Sequence, residues 1–250
     1  MRGDFEAYLN DSFRDENGKL DLAALLVLED EADMDVAVIM PNTQPLPQND
    51  ELADAIRGNS RALGCALVHP TEPEPTEQVR LAAEAWGMRG IKLMPAVHNY
   101  NVDNPIVRPV VEAARDHGLI VSIHSGPNNC HPNRIGTVAS WVPETPVIMD
   151  HMGFPDDLDA AIAVAKANKN VSLGTTILRF HRRWGTDPDT VVPTEVKTAI
   201  DELGPEQIVF GSNLPEYRPI QVINALKRLE LDDDAEALIF GGNLARIYGL

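Results

Sequence analysis

The chain has 250 residues, 44% hydrophobic and 24% charged, a size and balance that suit one soluble α/β domain spanning 1–250. Its 38 acidic against 21 basic residues leave a formal charge of −17, which argues against nucleic acid and anionic membranes as partners, since both recruit Lys and Arg arrays. No apolar run reaches membrane-spanning length, the start lacks the apolar core of a signal peptide, and two cysteines imply no disulfide framework, so a cytoplasmic location is expected.

In chain order, Arg2–Lys19 is polar and presents no convincing strand. A helical stretch, Asp21–Ala32, precedes strand-like runs at Asp35–Met40 and Ala62–His69. Helix Thr76–Trp86 and strand Arg89–Met94 come next, followed by helix Pro105–His117 and strand Leu119–His124. The chain continues with strand Pro146–His151, helix Leu158–Asn168, strand Asn170–Thr175, helix Pro193–Leu203 and strand Gln207–Gly211. In Pro105–His117, residues Ile106, Val107, Val110, Val111 and Ala114 form one apolar stripe at helical spacing. Pro105 suits the first turn and Gly118 the stop. Nearly all-apolar strands joined by helices predict a parallel sheet covered on both faces, here a (β/α)8 TIM-barrel-like fold. Only seven strands are legible, so the first is expected to be missing or irregular. A missing strand would leave unpaired backbone at an edge, and a homo-oligomer is expected to cover it.

Histidines at the carboxyl ends of barrel strands lie where this architecture carries its chemistry. His124 ends Val-Ser-Ile-His, His151 ends Val-Ile-Met-Asp-His, and Asn213 follows Val-Phe-Gly-Ser. Alternation groups His124 with Ser122, His151 with Met149, Asn213 with Gly211, His69 with Leu67, Lys92 with Met94 and Thr175 with Leu173. It also turns Asp150 away from the interior. His69, Lys92, His124, His151, Thr175 and Asn213 are thereby expected around one mouth.

The runs Gly-Ile-Lys-Leu-Met-Pro (90–95), Ile-Val-Ser-Ile-His-Ser-Gly (120–126), Val-Ile-Met-Asp-His-Met-Gly (147–153), Ile-Val-Phe-Gly-Ser-Asn-Leu-Pro (208–215) and Gly-Gly-Asn-Leu-Ala-Arg-Ile-Tyr-Gly-Leu (241–250) resemble the amidohydrolase superfamily. The similarity is nearest to its amidohydrolase-2 branch of metal-dependent hydrolases, lactonases and decarboxylases. It covers about Leu20 to Leu250 in order and spacing. It implies a distorted barrel with one divalent ion (Zn, Mn or Fe), held by a His-x-His pair on the first strand, histidines after the fifth and sixth, and an Asp after the eighth. His124 and His151 match the fifth- and sixth-strand positions and are the expected metal ligands. Asn213 stands where the Asp belongs, and no His-x-His occurs in the chain. The first strand with its two histidines is expected upstream of Met1 if the sequence begins late.

Two imidazoles alone hold a metal weakly, and an Asn amide is no base at neutral pH. Without metal, water keeps its bulk pKa of about 15.7 instead of about 7. The expected activity is therefore hydrolysis of a small, carboxylated amide, ester or lactone with reduced or absent metal dependence. Asn213 and Lys92 are the candidate catalytic residues, and Arg179, His181 and His69 are the candidate substrate-binding residues. Arg182 and Arg183 extend the basic cluster that would receive a carboxylate. Each has a plainer reading: Lys92 extending to a carboxylate, Asn213 satisfying loop backbone, His69 ending a strand, the arginines a solvated loop. A decarboxylase or other lyase on the same scaffold, and a non-catalytic binding or assembly protein, are the rivals.

Overall fold

A computed structural model describes residues 1–43, 48–176, 187 and 189–250. The described residues form eight parallel strands in sequential order. They are β1 Gly3–Tyr8, β2 Val36–Met40, β3 Ala62–Leu67, β4 Gly90–Leu93, β5 Ile120–Ile123, β6 Val147–Met149, β7 Val171–Gly174 and β8 Ile208–Val209. Helices separate consecutive strands, so each crossover lays one apolar helix face on the outside of the sheet. Most expected helices fall within two residues of their anticipated limits, for example Leu22–Asp30, Pro75–Glu84 and Thr194–Leu203. The stretch expected at Pro105–His117 opens with a 3₁₀ turn, Pro105–Val107, before the α-helix Arg108–Asp116.

The first strand is present and irregular. β1 pairs with β2, but the register shifts between Asp4 and Ala7. On its far side Phe5 N–H donates to Phe210 O (3.0 Å), Asn213 N–H to Glu6 O (2.9 Å) and Tyr8 N–H to Leu214 O (2.7 Å). These bonds close the barrel between β1 and the segment after β8. The closed edge removes the reason for expecting a partner there. β1 escaped the apolar pattern because its buried positions include Asp4 and Glu6. Those side chains meet charged and polar partners within the barrel, Ser212 for Asp4 and Lys92 and Tyr8 for Glu6, rather than water.

The barrel is filled from below. Phe5, Val38, Leu63, Cys65, Ile120, Ile148 and Val209 form an interior cluster with Leu244 and Tyr248 of the C-terminal helix Asn243–Tyr248. Phe5 fits only because Gly174 and Gly211 flank it: a Cβ on either would lie 2.5 Å from its ring. The outward residues of the same strands, among them Ile39, Ile91, Val121 and Leu173, pack with the helices in a second, larger cluster. Apolar filling thus ends below the carboxyl ends of the strands, and polar side chains take over above it.

Candidate active site

Above Phe5 the interior becomes a buried charge network. Lys92 on β4 is completely buried, and its ammonium donates to Glu6 Oε1 at 2.7 Å and to an oxygen of Asp150. Ser122 on β5 donates to the other Asp150 oxygen at 2.8 Å, and the Tyr8 hydroxyl donates to Glu6 Oε1, also at 2.8 Å. Burial pushes the Glu6 carboxyl up, but Lys92, joined by His151, overcomes this and holds it down at about 2. Burial and the Glu6 charge drive the Tyr8 phenol well above its ordinary value, so Tyr8 stays protonated. Below this network Asp4 accepts from Ser212 N–H (2.9 Å), Glu6 N–H (3.0 Å) and the Ser212 hydroxyl. Burial nevertheless raises Asp4 to about 7.

The chain leaves β6 abruptly. His151, Met152 and Phe154 all have positive φ, 60°, 50° and 58°, with Gly153 at 78° between them. Such residues cost on the order of 1–3 kcal/mol each unless held in place. Ser125 holds this turn: its hydroxyl donates to Asp150 O and accepts from Gly153 N–H at 2.8 Å. The turn corrects the alternation expected here. Ile148, not Met149, faces the interior, and Asp150 points inward to Lys92. His151 reaches the same mouth through its left-handed backbone rather than through strand parity.

There the two expected histidines meet. His151 Nε2 lies 2.9 Å from His124 Nδ1, with the rings at 71°. His151 Nδ1 lies 2.6 Å from Thr176 Oγ1 and 3.3 Å from Thr176 O. Burial, then His151 and Lys92, lowers the His124 pKa well below that of a free imidazole, so His124 is a neutral base at physiological pH. Both rings line a cavity of about 400 Å³ together with Tyr8, Asn10, Ser12, Asn42, Thr43, Met94, Asn213, Pro215 and Glu216. None of the described lining residues is a Lys or Arg.

Asn213 sits at this mouth with φ 65°, a conformation Asn tolerates better than most residues. It donates from Nδ2 to Glu216 at 3.0 Å. Lys92 lies under the cavity rather than in its wall, in keeping with the plainer reading of a lysine extended to carboxylates. His69 is not in the lining; it stacks on His98 with ring centroids 4.0 Å apart. Thr175 bonds Gly211, and its neighbour Thr176 is the residue that reaches His151. Arg179 and His181, with Arg182 and Arg183, lie outside the described residues. In the segment after β5, Cys130 is buried with its thiol pushed up to about 11, Arg134 pairs with Asp103 at 2.5 Å, and His131 caps the helix Pro132–Trp141.

Sequence reasoning missed Glu6, Tyr8, Asp150 and Thr176. The one available signal was alternation in Asp4-Phe5-Glu6-Ala7-Tyr8, which reads as a strand only once buried acids are allowed.

Glu6, Asp150 and His151 offer ligand atoms within 4.8 Å of one another, a candidate metal triad. As placed, these groups do not fit a divalent ion. Both carboxylates already hold the Lys92 ammonium, and a second cation among them would face that charge at close range. The facing nitrogens of His124 and His151 are engaged with each other, one donating and the other accepting. Asn213 contributes no negative charge.

A polar cavity at the carboxyl mouth of a parallel barrel, floored by two histidines over a buried ion-pair network, defines an enzyme-like α/β barrel. An amidohydrolase family profile (Amidohydro_2) matches residues 7–250, and the chain belongs to that family. No curated protein matches the chain. Among solved structures it is similar to an uncharacterised TIM-barrel protein from Bordetella bronchiseptica (TM-score 0.79, 17% identity, 99% of this chain and 98% of that one). It is likewise similar to a probable 2-pyrone-4,6-dicarboxylic acid hydrolase from Acinetobacter baumannii with citric acid bound (TM-score 0.73, 16%, 100% and 99%). A third is a 5-carboxyvanillate decarboxylase from Novosphingobium aromaticivorans with bound manganese (TM-score 0.70, 15%, 100% and 97%). At these identities the likeness concerns the fold.

Proposed function

We propose that the chain hydrolyses a small carboxylated ester, lactone or amide, using the His124–His151 pair as its proton-handling centre. The observation that carries this reading is the 2.9 Å contact between the two rings at the cavity floor. With Nδ1 committed to His151, His124 keeps Nε2 for a water molecule. The water oxygen attacks the substrate carbonyl carbon while His124 takes its proton, and the resulting imidazolium is stabilised through His151 and the Thr176 oxygens. Collapse of the tetrahedral adduct breaks the C–O or C–N bond, and the same proton goes to the leaving oxygen or nitrogen. Asn213 gives one N–H to Glu216; its second is free for the developing oxyanion.

The described lining supplies amides and hydroxyls but no Lys or Arg. Capture of the substrate carboxylate is therefore assigned to Arg179 and His181, which follow β7 in sequence. The dicarboxylate hydrolase among the structural neighbours supports a carboxylated substrate. Lys92 acts through Glu6 and Asp150, holding their charge beneath the histidines.

Purified protein should be assayed on a panel of carboxylated lactones and aryl esters, with aromatic acids followed for CO2 release. Hydrolysis is expected, and His124→Ala and His151→Ala should each lower it by about 10²–10⁴-fold without loss of fold. CO2 release without hydrolysis would favour the decarboxylase reading suggested by the third neighbour. Full activity in both variants would sink either catalytic scheme.

A further inference from the structure

The cation at the centre of this barrel is part of the chain. Lys92 donates to Glu6 at 2.7 Å and to Asp150, and these two carboxylates belong, with His151, to the one set of described residues whose ligand atoms converge closely enough for a metal. The second Glu6 oxygen, Oε2, is buried and has no hydrogen-bond partner. A buried, ionised carboxylate with a free oxygen is a ligand already prepared for a cation larger in charge than the one it has.

The geometry points to Lys92 as a tethered substitute for a divalent ion, with Glu6, Asp150 and His151 forming a latent metal site that opens when the ammonium is removed. The argument is one of charge and space. In the folded protein the ammonium neutralises one of two facing carboxylates and fills the volume between them, so a second cation is excluded. Replacing Lys92 with an uncharged side chain of similar length leaves two carboxylates and one imidazole around a polar gap. Two oxygens and one nitrogen form a donor set suited to Zn²⁺ or Mn²⁺, with the remaining positions open to water. This inference does not depend on which substrate the cavity accepts.

The test compares wild type, Lys92→Met and the double variant Lys92→Met/Glu6→Gln, each dialysed against chelator and then titrated with ZnCl2 or MnCl2 by calorimetry. Melting curves with and without the ion run in parallel. Lys92→Met should bind one ion per chain at least 100-fold more tightly than wild type, and the ion should raise its melting temperature. Wild type should show neither effect, and the double variant should fall back toward wild type. If Lys92→Met does not fold in the absence of metal, recovery from denaturant in the presence of Zn²⁺ but not in its absence supports the same conclusion. One tightly bound ion per wild-type chain, lost in His151→Ala, would overturn the proposal. So would a Lys92→Met protein with no gain in affinity, one whose refolding is indifferent to metal, or one whose gain survives Glu6→Gln.

Discussion

At the residue scale, the candidate chemistry depends on which nitrogen of each imidazole carries a proton, and Thr176 sets that choice. Its hydroxyl lies 2.6 Å and its carbonyl oxygen 3.3 Å from His151 Nδ1. If Nδ1 donates to the Thr176 oxygens, the nearer being the hydroxyl, Nε2 is left to accept from His124, as the proposed base requires; a hydroxyl donating to Nδ1 would reverse the direction. Thr176→Val keeps the shape and the carbonyl but removes the hydroxyl. It should lower kcat by about three- to tenfold, the worth of one hydrogen bond, with KM unchanged. Steady-state kinetics with both constants resolved checks this; a change in KM alone would mean that Thr176 acts on binding instead. His124 is held neutral first by burial, then by His151 and Lys92, so its protonation should not limit activity until the pH falls well below 6.5. The same group weakens the fold in acid: an unfolded His124 takes up its proton near 6.5, and the folded one does so only at lower pH.

At the scale of elements, β1 and the helix Leu22–Asp30 carry an unusual acid load. Glu29, in the last turn of that helix, is buried, and neither of its carboxylate oxygens has a hydrogen-bond partner. Burial, reinforced by the charge of Asp4, drives its pKa well above 4.5. A folded chain that keeps this proton, while the unfolded chain gives it up above 4.5, loses stability as the pH rises from there toward the folded pKa. Glu29→Met should therefore stabilise the protein by about 1–3 kcal/mol at pH 8. In a chain of this size that corresponds to a rise in melting temperature of roughly 3–8 °C. The gain should shrink at pH 5, and melts at the two pH values decide it; equal gains at both would mean that packing, not ionisation, is responsible. Beyond β6, the left-handed turn at 151–154 has the opposite character. Its strain is local and is held by Ser125, and it lets one short strand deliver Asp150 to the ion-pair network and His151 to the cavity.

At the scale of the whole molecule, a closed barrel plugged by Leu244 and Tyr248 carries a formal charge of −17. No described helix is long and apolar enough to cross a membrane. Among the described residues, Lys92 is the cation that the interior retains, and most of the other ion pairs are surface contacts such as Arg80–Glu77 and Lys166–Glu202. Exposed pairs are each worth about 0–1 kcal/mol, so they do not offset the long-range repulsion among excess carboxylates. Raising KCl from about 0.05 to 1 M shortens the Debye length from about 14 Å to about 3 Å. The melting temperature should rise with it, and a fall on adding salt would show that the pairs outweigh the repulsion.

The amino-acid sequence by itself determined the barrel class, seven of the eight strands, most helix limits and the two histidines, because strand runs, helical stripes and strand-end positions are set by local periodicity. Ile120–Ile123 and Val171–Gly174 were legible in this way, with their buried neighbours supplying the same pattern. Only the tertiary structure decided β1, the inward turn of Asp150, the Thr176 contact and the placement of Lys92. Each of these turns on a partner far away in the chain: Glu6 and Lys92 are 86 residues apart, and Lys92 and Asp150 are 58. A polar strand can be buried only when another strand brings the compensating charge, and no local rule of hydrophobic spacing reports that charge before the chain has folded.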